Sequence, residues 1–90
     1  EINNIENTIF SIFPNPTNGF INIDINQSDY RINEISISNL LGQSVYNKSI
    51  NEIDRISLVV DLNKYSEGIY ILNLIHDSAK IETRRISYIK

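Results

Sequence analysis

The feature that most constrains this chain is the recurrence of isoleucine at every second position of several short segments. The 90 residues include 19 Ile and a single Ala. Isoleucine is β-branched and packs well on a pleated strand, whereas alanine, the strongest helix former, is almost absent. Segments 20–25, 34–39 and 56–62 alternate apolar with polar residues, as a strand does when one face is buried. The sequence therefore predicts an all-β domain.

Clusters of Pro, Asn, Ser and Gly separate the apolar segments into seven predicted strands. These turn signals recur about every 8–12 residues, a spacing typical of a seven-stranded antiparallel β-sandwich of immunoglobulin-like type. Residues 1–7 are polar and are predicted to be a linker, which leaves residues 8–90 as one domain. The predicted strands are residues 8–13, 20–25, 34–39, 44–49, 56–62, 69–75 and 81–89.

The last two predicted strands depart from simple alternation. The run 69–75 is almost continuously apolar, which predicts a central strand covered on both faces. In segment 81–89 the apolar residues change phase between Ile81 and Ile86. Because one extra residue on a strand moves the following side chains to the other face, we expect a β-bulge between Glu82 and Ile86.

Residue types that catalysis or metal binding would need are scarce. The chain has no Cys, one His and three Gly, which excludes Cys–His metal sites, a cysteine nucleophile and a phosphate-cradling P-loop. No Gly-x-Ser-x-Gly nucleophile elbow occurs. His76 lies next to a predicted hairpin turn, where we expect it to be a surface residue. We therefore expect no enzyme activity, no cofactor and no metal site.

Charge is distributed unevenly along the chain. The formal net charge is -3, which argues against binding to nucleic acid. Residues 80–90 nevertheless carry a net charge of +3, from two Lys and two Arg against one Glu, so residues 1–79 carry -6. Charges on a last strand commonly protect a solvated sheet edge. The alternative is a basic docking strand, whose unpaired backbone groups add to a partner's sheet or form an edge-strand dimer.

Four short motifs follow one another in an order that is more specific than any of them alone. The first is Phe13-Pro14-Asn15-Pro16-Thr17-Asn18-Gly19, a rigid turn before an alternating strand. The second is Asn39-Leu40-Leu41-Gly42-Gln43-Ser44-Val45, and the third is Tyr65-Ser66-Glu67-Gly68-Ile69-Tyr70. The fourth is the basic, apolar end from Thr83-Arg84-Arg85-Ile86 to Lys90. Together they resemble the type A C-terminal sorting domain of cargo proteins of the type IX (Por) secretion system of Bacteroidota.

The resemblance covers residues 10–90 and implies a non-catalytic secretion signal. Such a domain folds in the periplasm, is recognised by the outer-membrane machinery, and guides an N-terminal cargo domain across the outer membrane. A sortase then usually removes it, here near residues 1–8, and the cargo stays on the cell surface or is released. The chain is accordingly expected to be a piece of a longer protein. The site residues implied by the resemblance are Pro14, Asn15, Pro16, Gly19, Gly42, Gly68, Tyr70, Arg84, Arg85 and Lys90.

Two other function classes stay open from the residues alone. A carbohydrate-binding or adhesive β-sandwich appended to a secreted enzyme would need a row of exposed tyrosines or a metal-binding loop, and an inert spacer would need neither. We expect recognition at the basic end of the chain. Arg84 and Arg85 point to opposite faces of a strand, so one could face a partner while the other braces the domain.

Overall fold

The structure is a computed structural model that describes residues 9–26, 31–51 and 54–90. These ranges form seven strands, whose bounds agree with the predicted ones within two residues. In the described ranges no helix has the length and apolarity needed to cross a membrane. The strands are β1 (Ile9–Phe13), β2 (Phe20–Asn26), β3 (Ile32–Asn39), β4 (Ser44–Ser49), β5 (Arg55–Asp61), β6 (Gly68–His76) and β7 (Ile81–Tyr88).

The strands form two sheets, and every pairing between named strands is antiparallel. One sheet has three strands in the order β1-β2-β5, and the other has four in the order β4-β3-β6-β7. The predicted all-β, seven-stranded sandwich is confirmed, and its arrangement is consistent with an immunoglobulin-like fold.

The alternating isoleucines supply the core between the two sheets. Ile21, Ile23 and Ile25 of β2 are fully buried, and they belong to the same core cluster as Ile35 and Ile37 of β3, which are also fully buried. Complete burial of an aliphatic side chain of this size contributes about 1.5–3 kcal/mol. Aliphatic packing thus holds together a domain that has no disulfide. Further buried core residues are Ile32, Ile50, Ile56, Val60, Leu62, Tyr70, Leu72, Leu74, Ile86 and Tyr88.

Strand β6 is central in its sheet, but the sandwich covers only one of its faces. Leu72 and Leu74 point into the core and are fully buried. Ile69, Ile71 and Ile75 lie on the outer face of the four-stranded sheet and are half-buried. The prediction of a strand covered on both faces is therefore wrong, because neighbouring side chains in the same sheet provide the shielding on the outer face.

The predicted β-bulge between Glu82 and Ile86 is also wrong. Strand β7 pairs with β6 in unbroken register from Ile81 opposite Ile75 to Tyr88 opposite Gly68. The change of apolar phase has a simpler cause, since Ile81 lies on the outer face with 57 % of its surface exposed. The register shifts of the four-stranded sheet occur instead along β3, at 37–38 against β4 and at 32–34 against β6.

His76 is not the surface residue that its position near a hairpin suggests. It continues the inward phase of β6 and is only 1 % exposed. Its Nε2 lies 2.7 Å from Oε2 of Glu82, which enters the interior from the neighbouring strand β7. A buried imidazole is costly without such a partner, so Glu82 explains why His76 is tolerated there.

Strand direction places all four sequence motifs at one end of the sandwich. β1 and β5 both run antiparallel to β2, and β3 and β7 both run antiparallel to β6. A parallel bridge between Thr17, which follows β1, and Tyr88, which ends β7, aligns the two sheets. The four odd-numbered strands therefore end at the same pole, and β1 begins at the opposite pole. We call the pole formed by residues 14–19, 39–45, 62–70 and 85–90 the motif end.

Candidate functional site

The first motif binds directly to the last strand. The side-chain Nδ2 of Asn15 donates a hydrogen bond to the carbonyl oxygen of Arg85 at 2.9 Å, and its Oδ1 accepts one from the Ser87 amide at 3.0 Å. Thr17 adds two backbone bonds, from its amide to Ser87 O at 2.8 Å and from the Ile89 amide to its own carbonyl at 2.9 Å. These four bonds clamp the first turn onto β7.

This clamp changes the expectation that β7 offers an unpaired edge. Strand β7 is an edge strand of the four-stranded sheet, as predicted. From Arg85 to Ile89, however, its outer edge already bonds to Asn15 and Thr17, so a partner strand would have to displace the first turn there. The two prolines beside Asn15 are exposed, and the peptide bonds that precede them are both cis.

Gly19 lies where the first turn meets the β5–β6 connection. Its carbonyl accepts a hydrogen bond from the Leu62 amide at 2.8 Å. A Cβ placed on Gly19 would lie 2.6 Å from Oδ1 of Asn63, whose side-chain amide is itself bonded to Asp61 at 2.8 Å. A side chain at this position would therefore displace the Asn63 side-chain amide, which is bonded to Asp61.

The second motif is a tight turn organised by one side chain. Oδ1 of Asn39 accepts hydrogen bonds from the amides of Leu41 and Gln43, both at 2.9 Å, and its Nδ2 donates to Gln43 Oε1 at 2.8 Å. Gly42 has a φ of 86°, in the left-handed region that glycine adopts without strain. The turn presents two adjacent apolar side chains to solvent, Leu40 at 69 % exposed and Leu41 at 85 %.

The third motif braces the motif end from within. The hydroxyl of Tyr65 donates to the carbonyl of Val45 at 3.0 Å and so links the third motif to the second. The buried Tyr70 donates its hydroxyl hydrogen to the Ser66 carbonyl, and its ring centroid lies 6.4 Å from that of Tyr88. Burial raises the pKa of Tyr70, which keeps this phenol a neutral donor.

Gly68 and Lys90 complete the contacts among the motifs. Gly68 has a φ of 152°, and the space where its Cβ would stand is open. The backbone amide of Lys90 donates to Oε1 of Glu67 at 3.1 Å, which ties the end of the fourth motif to the third. Each motif is thereby bonded to at least one other.

A cavity of about 570 Å³ lies between the second and third motifs. Its apolar walls come mainly from Leu40, Leu41, Val45, Tyr65 and Ile69. Glu67 contributes the single ionisable carboxylate of the lining. Two segments separated by nineteen residues in sequence therefore build one largely apolar depression beside the exposed leucine pair.

The two arginines of the fourth motif face opposite sides of β7, as their alternation predicts. Arg84 pairs in register with the buried Leu72, and its guanidinium carbon stands 4.6 Å from the centre of the Phe10 ring in β1. It thus bridges the edges of the two sheets. Arg85 pairs with Ile71 and is exposed on the outer face of the four-stranded sheet.

The tyrosine row that sugar binding would need is not found in the ranges the structure covers. Tyr70 and Tyr88 are buried, and Tyr46 and Tyr65 are half-buried; Tyr30 lies outside the described residues. In the same ranges no group of three or more His, Asp or Glu side chains is placed to hold a metal ion.

Several residues that shape the motif end were not among the predicted site residues. Thr17, Asn39 and Glu67 act through hydrogen bonds between turns, and Leu40 and Leu41 act through their exposure. A pair of leucines inside a polar turn is a signal that the sequence does contain. The hydrogen bonds depend on which turns meet, and that is set by the tertiary fold.

A comparison with known families agrees with this arrangement. The family model described as the secretion system C-terminal sorting domain matches residues 11–88, a span that contains most of all four motifs. No curated protein matches the chain. The chain therefore belongs to the family of type IX secretion C-terminal sorting domains, which serve as secretion signals.

Proposed function

We propose that this domain is a non-catalytic sorting signal and that the outer-membrane machinery of the type IX system recognises it at the motif end. The supporting observation is that four motifs spread over most of the chain converge on one pole and are hydrogen-bonded to one another there. Residues scattered along a β-sandwich for stability alone would have no reason to share a pole.

On this proposal the site residues serve two roles. Gly19 and Tyr70 are buried and hold the turns in place, whereas Pro14, Pro16 and Arg85 are exposed and available for contact. An N-terminal cargo accompanies the domain through the periplasm and across the outer membrane. A sortase then cuts upstream of β1, and the cargo stays at the cell surface or is released.

The direct test is export of a reporter. Residues 8–90 are fused to the C-terminus of a periplasmic reporter protein in a bacterium that has the type IX system. We expect the reporter outside the outer membrane, and we expect it in the periplasm when the system is deleted. Retention of the fusion in the periplasm, under conditions in which an established sorting domain exports the same reporter, would contradict the proposal.

The contribution of the basic end has its own matched comparison. Replacing Arg84 and Arg85 by Ala should stop export while the domain stays folded. The control removes two cations from the opposite pole, Arg31 and Lys80, and should be exported normally. Normal export of the first variant would remove the two arginines from the recognition site.

One observation favours a second candidate, a carbohydrate-binding module. Phe13 and Phe20 are 48 % and 53 % exposed on the outer face of the three-stranded sheet, where Phe13 lies opposite Asn22 and Phe20 precedes Asn22 by two residues on the same strand. A binding site for a sugar combines aromatic rings with polar side chains, and this face offers both. Screening the domain on a glycan array, with Phe13→Ala and Phe20→Ala as controls, separates this candidate from the sorting signal.

A further inference from the structure

The least expected feature of the motif end is its leucine pair. Leu40 and Leu41 stand at the tip of the β3–β4 turn and are 69 % and 85 % exposed. A single exposed leucine is common on protein surfaces and needs no explanation. Two adjacent exposed leucines that are held in place beside a cavity are typical of an interaction surface.

The leucine pair is held in place before any partner arrives. The Asn39 side chain bonds to both Leu41 and Gln43, and the backbone adds bonds from Asn39 N to Gln43 O at 2.9 Å and from Gly42 N to Asn39 O at 3.0 Å. A turn with five internal hydrogen bonds loses little conformational freedom on docking, which is the condition for an efficient anchor.

We infer that the Leu40–Leu41 turn is the anchor by which a protein of the secretion apparatus docks, and that an apolar side chain of that protein enters the adjoining cavity of about 570 Å³. This inference rests on the proposed function and names its contact surface. A projecting pair next to a depression gives the interlocking shape of a protein–protein interface core, where aliphatic and aromatic anchors carry most of the affinity.

The charges around the turn indicate a protein rather than a lipid surface. Residues 38–45 carry no charge, and Glu67 places a carboxylate in the cavity wall. Loops that insert into anionic leaflets combine their apolar residues with lysine and arginine, which residues 38–45 lack, and the cation beside the cavity is the Lys64 ammonium, 5.8 Å from the centre of the Tyr65 ring. The surface that fits is therefore apolar and uncharged at its centre, and it brings no acidic group to face Glu67.

The test compares export of the reporter fusion by three variants and the wild type. Leu40→Ser with Leu41→Ser should lower export at least about tenfold, the loss expected for interface anchors. Leu40→Met with Leu41→Met keeps the apolar contact and should stay within about twofold. Val59→Ser removes a comparably exposed apolar side chain, 64 % exposed on the other sheet, and should not change export. Thermal unfolding should be the same for all four proteins.

Contact between the leucine turn and a partner protein is tested directly by photo-crosslinking. A photo-crosslinking amino acid is placed at position 41 or at position 59 of the exported fusion. We expect a covalent adduct with one outer-membrane protein from position 41 and none from position 59. If the double Ser variant is exported as well as the wild type, the inference is overturned and the sorting function stays intact. If the wild type itself is not exported, the sorting function is rejected. Adducts between two copies of the domain, or flotation with vesicles of phosphatidylethanolamine and phosphatidylglycerol that requires the leucines, would also overturn it.

Discussion

The side chain of Asn15 bonds to the backbone of Arg85, seventy residues further along the chain, at 2.9 Å. The same amide accepts a hydrogen bond from Ser87, so one side chain satisfies a carbonyl and an amide on the outer edge of β7. The turn between Pro14 and Pro16 therefore acts on the C-terminal strand. The conformation of the basic end depends on a residue that the chain has placed near its beginning.

Replacing Asn15 by Ala should lower the free energy of unfolding by about 1–2 kcal/mol, because two hydrogen bonds are lost. Asn15→Asp keeps the acceptor for Ser87 but loses the donor to Arg85, so it should recover part of this loss at most. Urea unfolding measures the stability, and amide hydrogen exchange at Ser87 should become faster. Asn18→Ala in the same turn is the control and should change neither. Unchanged protection of Ser87 in Asn15→Ala would show that the clamp does not hold the strand.

Replacement of Arg84 and replacement of Arg85 should change the stability of the domain by different amounts, although the two residues are neighbours. Arg84 covers the Phe10 ring, and loss of this cation–π contact in Arg84→Ala should cost about 0.5–1 kcal/mol. Arg85→Ala removes an exposed side chain and should stay within about 0.5 kcal/mol of wild type. A double-mutant cycle with Phe10→Leu checks the pairing, because the cost of Arg84→Ala should shrink once the ring is absent. An unchanged cost would assign the effect of Arg84 to something other than Phe10.

Acidic pH should abolish the stabilisation of the folded domain by the Asp24–Arg55 pair. The two side chains meet at 2.6 Å and 3.0 Å on the outer face of the three-stranded sheet, and the hydrogen bonds from Arg55 hold the pKa of Asp24 below its usual value. A carboxyl whose pKa is depressed by folding stabilises the folded state above its unfolded pKa, and it loses this effect as pH falls through the folded pKa. Thermal unfolding of wild type and Asp24→Asn should therefore differ near neutral pH and converge towards about pH 2. A difference that persists in acid would contradict an ionic origin.

The buried pair of His76 and Glu82 should be among the most sensitive positions of the domain. Glu82→Ala leaves the imidazole of His76 in the interior without the carboxylate that lies 2.7 Å from it. Removing one partner of a buried polar pair costs about 3 kcal/mol. Glu34→Ala is the matched control, since the Glu34 carboxylate bonds to Asn47 on the outer face and should contribute far less. Chemical denaturation measures the free energy of unfolding of both variants. Equal losses of stability in Glu82→Ala and Glu34→Ala would mean that burial of His76 does not depend on Glu82.

Period-two alternation was enough to predict the strands and most of the core. Ile21, Ile23 and Ile25 are buried because a strand sends alternate side chains to one face, a rule that needs no tertiary information. The same rule failed for β7, because it assumes that apolar residues all point inward, whereas Ile81 lies on the outer face beside Ile75.

The motif end could be predicted only as a set of residues. The sequence indicates that Asn15, Gly42 and Arg85 matter, but not that Asn15 bonds to Arg85 or that the turn of Gly42 meets Tyr65 through Val45. Such contacts depend on which strand ends share a pole, and strand order within a sheet cannot be read from alternation. His76 illustrates the same limit, since its phase on β6 and the reach of Glu82 decide its burial.

The odd number of strands has a geometric consequence for anything joined ahead of Ile9. Seven strands that alternate in direction send the chain in at one pole and out at the other, whereas six or eight would return it to the side on which it entered. A protein fused ahead of β1 is therefore attached at the pole opposite the motif end. The point of attachment and the three motif turns are separated by the length of the strands.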